Sequence, residues 1–516
     1  MKKTKLTSFF LTVSSIILTS HSGFAEFDWG DYYDIEALPA PEGVDYQIGG
    51  LDFTAKGELI ACFHRGEVMT YDEGTKEWKL FASGLHEPLG IYVEEEGTVL
   101  VIQRSELTRL HDKDGDGLAD FYEMVSNDWG LTGNYHEFAF GLVKDSKKNI
   151  YISLGTASNG SGVREQIRGE WNEAGGLTHG DFLSGGKHGS WKEKKRGKPR
   201  MYARVPYRGC VLKIEPGSPK AHVYATGFRT PNGLYIDKDE QLWVSDNQGD
   251  WVGASKVFRV EEGEFHGHAA SLLWAENPPN KVPSKLPITE LEKRRVKAPG
   301  LFPQGDAGNS ITQMVGLNES FAPLIQSDAP EQLIIGEMNH ARIVRYMPDI
   351  VNGHHQGTAG HMVVSKALGT GTNRMIYTPD NKSMIIGKTH LSWPGQEGVY
   401  KVTYNGEPYL LVESVKLTPE GFEFTFNAPV EAALTPSDYT LESYRIAYHA
   451  KYGSKKFELE KEVCSEVSVE GHVLTIKLAD KPKGNRMYDI SLPKSLTSKL
   501  SDISSSRFWY MAHEVY

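Results

Sequence analysis

Two short motifs contain residue types that suit acid–base and charge-stabilising chemistry. Residues 134–136 end in His136 and lead directly into an apolar stretch, and residues 227–234 contain Arg229. A histidine suits a general base that works near neutral pH, and a fixed guanidinium stabilises an oxygen that gains negative charge. Both also have structural alternatives: a histidine at a strand start is often hydrogen-bonded in its loop, and an arginine there can bridge neighbouring repeats.

An acidic loop at residues 112–123 has the spacing of a calcium-binding loop. Carboxylates at positions 1, 3, 5, 9 and 12, with Gly117 at position 6, match the twelve-residue EF-hand pattern. A hard cation takes about six to eight oxygens, and a glycine permits the sharp turn between them. Without a cation the loop would be an acidic, solvated hairpin turn. The predicted metal ligands, with a structural role, are Asp112, Asp114, Asp116, Asp120 and Glu123.

The first two motifs resemble those of the glucose/sorbosone dehydrogenases of the soluble pyrroloquinoline-quinone (PQQ) type. In that family a histidine opens a strand pair as His136 does, and a Gly-x-Arg-Asn-x-x-Gly-Leu stretch is similar to residues 227–234. The resemblance spans residues 45–405 and implies that His136 is the general base and that Arg229 contacts the quinone. The chain also resembles the sorbosone-type dehydrogenases of Planctomycetes, many of which add a haem domain that this sequence lacks.

The resemblance also implies a set of cofactor contacts. The family has a Gln-Gly loop whose side-chain amide meets the cofactor, and a late strand carries arginines that pair with cofactor carboxylates. Such charge-assisted pairs suit a tricarboxylate. Two departures weaken these contacts, since a threonine replaces the family's asparagine after Arg229 and Asp250 stands where a proline is usual. The residues predicted to bind the cofactor are Thr230, Gln248, Gly249, Arg342 and Arg345.

A repeat along residues 40–406 predicts the elements that must position these residues. Each unit is a small residue, an alternating apolar stretch, a turn and a second β-rich stretch, which is typical of a β-hairpin. Six such units fit an all-β fold, a six-bladed β-propeller whose blades stack to form the core; a pair of β-sandwiches is the alternative. The first strands of the units fall near residues 50–53, 90–93, 141–143, 233–236 and 374–377, with a degenerate copy at 332–336.

The pattern changes after residue 405. Residues 414–426 alternate as one strand, and further strands are expected at 439–448, 473–478 and 488–492. This predicts a small Ig-like β-sandwich at residues 411–516. It contains no cluster of catalytic residue types, so we interpret it as an accessory domain.

The N-terminus indicates the compartment of the protein, and the composition argues against one class of partner. Residues 1–25 have a basic start, an apolar run and small residues before a cleavage point, which indicates a cleaved signal peptide and a periplasmic or secreted protein. The apolar run is shorter than the roughly 20 residues of a membrane span. The net charge of −11 and the absence of a basic stripe argue against nucleic-acid binding. Three cysteines form no obvious disulfide framework.

The leading hypothesis is an exported quinoprotein that oxidises a small-molecule sugar or polyol by hydride transfer to PQQ. Without a covalently attached haem, its electrons would leave through an external acceptor. A second hypothesis is a non-catalytic propeller that binds a glycan or a protein partner, because a fold does not fix a function. A third is a hydrolase or lactonase with a metal in the channel, which would need Glu, Asn and Asp to converge on one ion.

Overall fold

The computed structural model describes residues 27–158, 166–172, 174, 200–325, 330–390, 395–432 and 435–516. The predicted signal peptide, residues 1–25, lies outside the described residues. The described chain is all-β with few helices, as predicted, and none of its helices is long and apolar enough to cross a bilayer. Within the described ranges the α-helix is Ile288–Arg294, and short 3₁₀ helices are Trp29–Asp31, Ala269–Trp274, Pro283–Lys285 and Pro436–Asp438.

The predicted hairpins belong to antiparallel sheets that follow one another along the chain. The first sheet contains Ile48–Phe53, Leu59–Phe63, Val68–Asp72 and Glu77–Ala82. The second contains Gly90–Glu95, Thr98–Ile102, Leu107–His111 and Phe121–Ser126. The third contains Ala139–Lys144, Ile150–Leu154, Cys210–Ile214 and Ala221–Thr226. The fourth contains Gly233–Ile236, Leu242–Asp246, Ser255–Val260 and Gly300–Phe302.

The last repeats form two further sheets. The fifth sheet begins with Ile311–Gly316, Leu333–Glu337, Ile343–Val351 and His354–Met362. The sixth contains Thr372–Tyr377, Ser383–Lys388, Gly398–Tyr404 and, from the N-terminus, Tyr33–Ala37. The predicted repeat region, which begins at residue 40, therefore leaves out one strand of its own last sheet. In sequence, almost the whole repeat region separates Tyr33–Ala37 from Gly398–Tyr404, the strand with which it pairs. No local sequence pattern therefore indicates this pairing.

The first strands of these six sheets form a closed ring in the described structure. The first strand of each sheet contacts the first strand of the next sheet. The first strand of the sixth sheet in turn contacts the first strand of the first sheet. The strands approach so closely that a Cβ atom on Gly90 would lie 1.3 Å from the carbonyl oxygen of Gly141. Glycine at this position therefore permits the close packing.

Arg374 closes the ring at its axis. Its guanidinium donates to the carbonyl oxygens of Gly49 and Leu89, at 2.7 Å each, and to Oδ1 of Asn232 at 2.8 Å. A cavity of only about 20 Å³ remains beside it, lined by residues from the first strand of each sheet. The axis of the ring beside Arg374 is therefore filled, with no room for a ligand.

The C-terminal region is built onto the fifth sheet. Four of its strands continue that sheet beyond His354–Met362, in the order Arg507–Ala512, Arg486–Ser491, Thr440–Ile446 and Lys456–Glu462. A second sheet packs beside it and contains Val412–Leu417, Gly421–Phe426, Val473–Leu478 and Cys464–Glu470. The expectation of one strand over 414–426 is wrong, because the chain turns at residues 418–420 and pairs with itself as a hairpin. The three cysteines are free.

Candidate functional site

His136 lies in the loop that leads into the third sheet, and its position is fixed by its neighbours. Oδ1 of Asn134 accepts from the backbone N–H of His136 at 3.1 Å and from that of Ser158 at 3.2 Å. The Nδ1 atom of His136 is 2.8 Å from the carbonyl oxygen of Thr156. Because a carbonyl only accepts, Nδ1 carries the hydrogen and Nε2 keeps its lone pair.

The structure brings His136, Arg229 and Thr230 together at one point. Nε2 of His136 is 3.5 Å from Oγ1 of Thr230, and Nη1 of Arg229 donates to the same hydroxyl at 3.1 Å. All three side chains are buried, with at most 8% of their surface exposed. The threonine, which the sequence marks as a departure from the resembled family, therefore links the predicted base to the predicted cation.

Burial lowers the pKa of His136 to about 3, and the positive charge of Arg229 is the next largest cause. Arg200 adds to the lowering, while the hydrogen bond to Thr156 and the charge of Asp250 oppose it. At neutral pH the imidazole is therefore uncharged, and its Nε2 lone pair is available to accept a proton. With this burial and the Arg229 charge beside it, however, His136 is a weak base.

A buried ion pair, which the sequence analysis missed, holds the loop that carries Arg229. Oδ1 of Asp246 accepts from the backbone N–H of Thr230 at 2.7 Å, and Nζ of Lys256 lies 3.0 Å from the other carboxylate oxygen. Both side chains are almost completely buried, and burial lowers the pKa of Lys256. The available signal was a lysine within the apolar strand Ser255–Val260.

Gly249 and Gln248 take different positions in this site. A Cβ atom on Gly249 would lie 2.1 Å from Cδ of Arg229, so the arginine stem packs directly on the glycine. The side-chain amide of Gln248 donates to the carbonyl oxygen of Gly253 at 3.1 Å, within its own loop. Gly249 therefore belongs to the Arg229 site, while the amide of Gln248 serves the loop.

Several buried polar atoms around Arg229 have no hydrogen-bond partner among the described residues. These atoms are Nε of Arg229, Oδ1 of Asp250 and Nδ1 of His268. Asp250 lies 3.3 Å from Nε2 of His268; burial raises the pKa of Asp250, but His268 and then Arg229 lower it by more. Buried polar atoms without partners are uncommon in folded proteins. Their concentration here suits a polar ligand or ordered water.

Arg342 and Arg345 are not brought to His136 or Arg229 by any described contact. Nε of Arg342 lies 3.5 Å from a carboxylate oxygen of Glu337. Arg345 donates to Oε1 of Gln332 at 2.7 Å and to the carbonyl oxygen of Val412 at 2.8 Å, between the fifth sheet and the C-terminal region. Burial lowers the pKa of Arg345 to about 10. The donors of Arg345 therefore support the fold in this structure.

The acidic loop at residues 112–120 joins two strands of the second sheet as a hairpin turn. One ligand oxygen from each of Asp112, Asp114 and Asp116 lies within 4.8 Å of the others, so these three carboxylates form a candidate cation site. Backbone N–H groups of Gly115 and Gly117 donate to Asp112 and shape the turn. The first three predicted ligands are therefore together.

The last two predicted ligands take other roles. Asp120 accepts from the backbone N–H of Lys113 at 2.6 Å and closes the loop. Glu123 lies in the strand Phe121–Ser126, where it accepts from Arg109 at 2.9 Å and contacts Nε2 of His111 at 3.1 Å. These hydrogen bonds lower the pKa of Glu123. The chain continues as a strand after the loop, which is why the twelfth position is not with the aspartates.

A strand from the C-terminal region, which the sequence analysis did not connect with the site, lies over it. Tyr448–Tyr452, called the docking strand below, pairs antiparallel with Asp250–Val252. The Tyr452 ring centroid is 5.4 Å from Cζ of Arg229 and 3.8 Å from Cζ of Arg200. The site is therefore assembled from the ring of sheets and from the C-terminal region.

The comparisons with known proteins found similar solved structures but no similar sequence. The sequence matches no protein-family model and no curated protein sequence. Among solved structures, the chain is similar to a PQQ-bound aldose sugar dehydrogenase of Streptomyces coelicolor, with 13% identity, a TM-score of 0.44, and coverage of 72% of this chain and 98% of that one. It is similar to the PQQ domain of a pyranose dehydrogenase of Coprinopsis cinerea, with 10% identity, a TM-score of 0.47, and coverage of 72% and 95%. It is also similar to a family AA12 enzyme of Trichoderma reesei, with 12% identity, a TM-score of 0.48, and coverage of 73% and 96%.

Proposed function

We propose that the protein is an exported quinoprotein-like dehydrogenase that oxidises the CH–OH group of a sugar or polyol and passes the electrons to an external acceptor. The observation that carries this proposal is the meeting of His136 and Arg229 at the hydroxyl of Thr230. A base with a free lone pair beside a buried cation is the arrangement that alcohol oxidation needs. The solved structures to which the chain is similar include a PQQ-bound aldose sugar dehydrogenase and the PQQ domain of a pyranose dehydrogenase.

The proposal includes the architecture. We propose that the six sheets are the blades of a β-propeller and that residues 411–516 form an Ig-like sandwich against it. The closed contacts among the first strands support the ring. The strand Tyr33–Ala37 supports closure, since it joins the N-terminus to the last sheet. The second sheet of the C-terminal region supports the sandwich.

The residues present fit PQQ at one of its expected contacts. Arg229 is buried and has no carboxylate within 4.0 Å among the described side chains, so an anionic ligand would satisfy it. Arg229, with Thr230 beside it, would hold a carboxylate or the quinone oxygen. When bound, PQQ would supply the acceptor for the substrate hydride.

The chain's own contribution is to hold and move one proton. Nε2 of His136 would take the proton of the substrate hydroxyl, while Nδ1–H stays on the carbonyl of Thr156 and keeps the ring in place. Burial is the main cause of the low pKa of His136 and the charge of Arg229 is the next; a ligand anion beside Arg229 would offset that charge. Ligand binding would therefore strengthen the base at the moment when it is needed.

We propose that the loop at residues 112–120 binds Ca²⁺ in a structural role. Asp112, Asp114 and Asp116 supply the oxygens, and the remaining positions fall to backbone carbonyls and water, as is usual for this ion. The cation would remove the repulsion among three neighbouring carboxylates.

The test is a titration of the purified protein with PQQ in the presence of Ca²⁺, followed by turnover with an artificial electron acceptor across a panel of sugars and polyols. His136→Asn is expected to retain PQQ binding and to lose turnover by about 10²- to 10⁴-fold. His472→Asn is the matched control, because this histidine also contacts a carbonyl oxygen, that of Phe426 at 3.1 Å, but lies in the C-terminal region. Unchanged turnover in His136→Asn would remove the proposed base.

A second candidate is a non-catalytic propeller that binds a glycan or a protein partner. The placement of Arg342 and Arg345 away from His136 favours it, because two expected cofactor contacts are then missing. The same titration separates the two functions. Glycan binding without PQQ binding at micromolar concentration would establish the second candidate in place of the first.

We also propose that the chain is exported and cleaved after Ala25. N-terminal sequencing of the protein recovered from the periplasm or the medium tests this. A mature chain that still begins at Met1 would overturn it.

A further inference from the structure

The docking strand is attached to the same loop that supports Arg229. Beyond the strand pairing, the backbone N–H of Gly453 donates to the carbonyl oxygen of Gly249 at 2.9 Å. Gly249 is the residue on which the Arg229 stem packs. A Cβ atom on Gly253 would lie 2.5 Å from Cβ of Ser454, so the two segments of the chain are in close contact along this edge.

The other end of the docking strand is anchored separately. The hydroxyl of Tyr448 donates to the carbonyl oxygen of Gly267 at 2.6 Å, and Cζ of Arg295 lies 4.3 Å from the centroid of its ring. The ring of Trp251 packs beside it at 5.7 Å. These contacts hold the strand from both ends against the segments that connect the strands of the fourth sheet, so Tyr452 has a defined position.

Tyr452 contacts the cation of the candidate site. Its ring lies beside Arg229, whose other polar contact is the Thr230 hydroxyl and whose Nε atom has no partner among the described residues. Arg200 stacks closer on the same ring. A cation beside an aromatic face is held without using its hydrogen-bond donors, so the donors of Arg229 stay available to a ligand.

We propose that the docking strand forms one wall of the His136 site and that Tyr452 positions the Arg229 guanidinium for an anionic group of the bound ligand. This inference rests on the proposed function, since it assigns the C-terminal region a part in the same site. The region is then a component of the binding site as well as an accessory domain. Tyr452 is a positioning residue, because it acts through Arg229.

The first test needs no cofactor. The folded protein is treated with phenylglyoxal, and the modification of Arg229 is measured by mass spectrometry. Its rate reports how firmly the guanidinium is held. Tyr452→Leu is expected to increase the modification rate of Arg229, and Tyr452→Phe, which keeps the ring, is expected to behave as the wild type. Tyr400→Leu is the control, because it removes a comparable ring beside Lys388, at 3.6 Å, in the sixth sheet. An unchanged rate at Arg229 in Tyr452→Leu would overturn the proposal.

The second test measures PQQ affinity in a double-mutant cycle. Tyr452→Leu is expected to weaken binding about two- to fivefold, the scale of a partly exposed cation–ring contact, and to have no effect in an Arg229→Met background. An equal loss in both backgrounds would show that the tyrosine does not act through the arginine. If the wild type fails to bind PQQ, the proposed function fails, and the modification experiment still decides whether Tyr452 positions Arg229.

Discussion

The charge of Arg229 should add to the effect of burial in lowering the pKa of His136, and its removal gives a quantitative test. The two contacts at Thr230, 3.5 Å and 3.1 Å long, place Nε2 of His136 and Nη1 of Arg229 no more than about 7 Å apart. At that distance and an effective dielectric constant of about 20, two unit charges interact by roughly 2 kcal/mol. Arg229→Met should therefore raise the pKa of His136, now about 3, by roughly one to two pH units.

The measurement is an NMR titration of selectively ¹⁵N-histidine-labelled protein between about pH 8 and pH 4. The wild-type imidazole is expected to stay neutral throughout, and that of Arg229→Met to begin charging at the acid end. His136→Asn identifies the signals, and Arg295→Met is the matched control, since Arg295 also contacts the docking strand but is not among the causes of the His136 shift. An unchanged titration in Arg229→Met, or an equal change in the control, would refute the electrostatic link.

The low pKa of His136 also determines in which direction the stability of the fold changes with pH. Because the folded-state pKa lies below the unfolded value of about 6.5, the unfolded chain binds the extra proton as the pH falls through 6.5. This histidine therefore destabilises the fold progressively between about pH 6.5 and pH 3. Part of that acid sensitivity should disappear in Arg229→Met.

Three further predictions follow from the neighbouring contacts. Lys256→Met leaves Asp246 buried without its cation and should lower the free energy of unfolding by about 3–5 kcal/mol in urea denaturation; a loss below about 1 kcal/mol would contradict the buried pair. Gly249→Ala should displace the Arg229 stem and weaken PQQ binding while the melting temperature changes little, whereas Gly57→Ala, in an open turn, should leave binding unchanged. Ca²⁺ should raise the melting temperature of the wild type in calorimetry, and Asp114→Asn should abolish this response; a response that survives the substitution would place the ion elsewhere.

Much of the fold could be predicted because its information is local. Alternating apolar residues around a turn define a hairpin wherever its two strands are close in sequence, as at 50–62 and 233–246. The fifth sheet was harder, since its first strand, Ile311–Gly316, is separated by a long loop from the strand it pairs with, Leu333–Glu337. The continuation of that sheet into the C-terminal region depends on contacts between distant segments, which no periodicity reveals.

Part of the candidate site could likewise be predicted from short motifs, whereas the rest depends on contacts between distant segments. His136, Arg229 and Thr230 were predicted from short motifs that resemble those of a known family, and the described structure brings their side chains together. The partners that fix their geometry were not predicted. Lys256 needs the strand pairing to reach Asp246, and Tyr452 reaches Arg229 from more than two hundred residues away.

The fifth sheet continues into the C-terminal region as one eight-stranded sheet. The ring of sheets and the C-terminal region therefore cannot be separated without exposing a sheet edge. Gly357, Thr358 and Ala359 form ladder pairs with Met511, Tyr510 and Trp509. A chain shortened to end near residue 406 would leave that row of backbone donors and acceptors bare in solvent, and bare rows of this kind recruit strands from other molecules. Shortened proteins of this type should precipitate or self-associate during expression, so experiments on the ring of sheets need the whole chain.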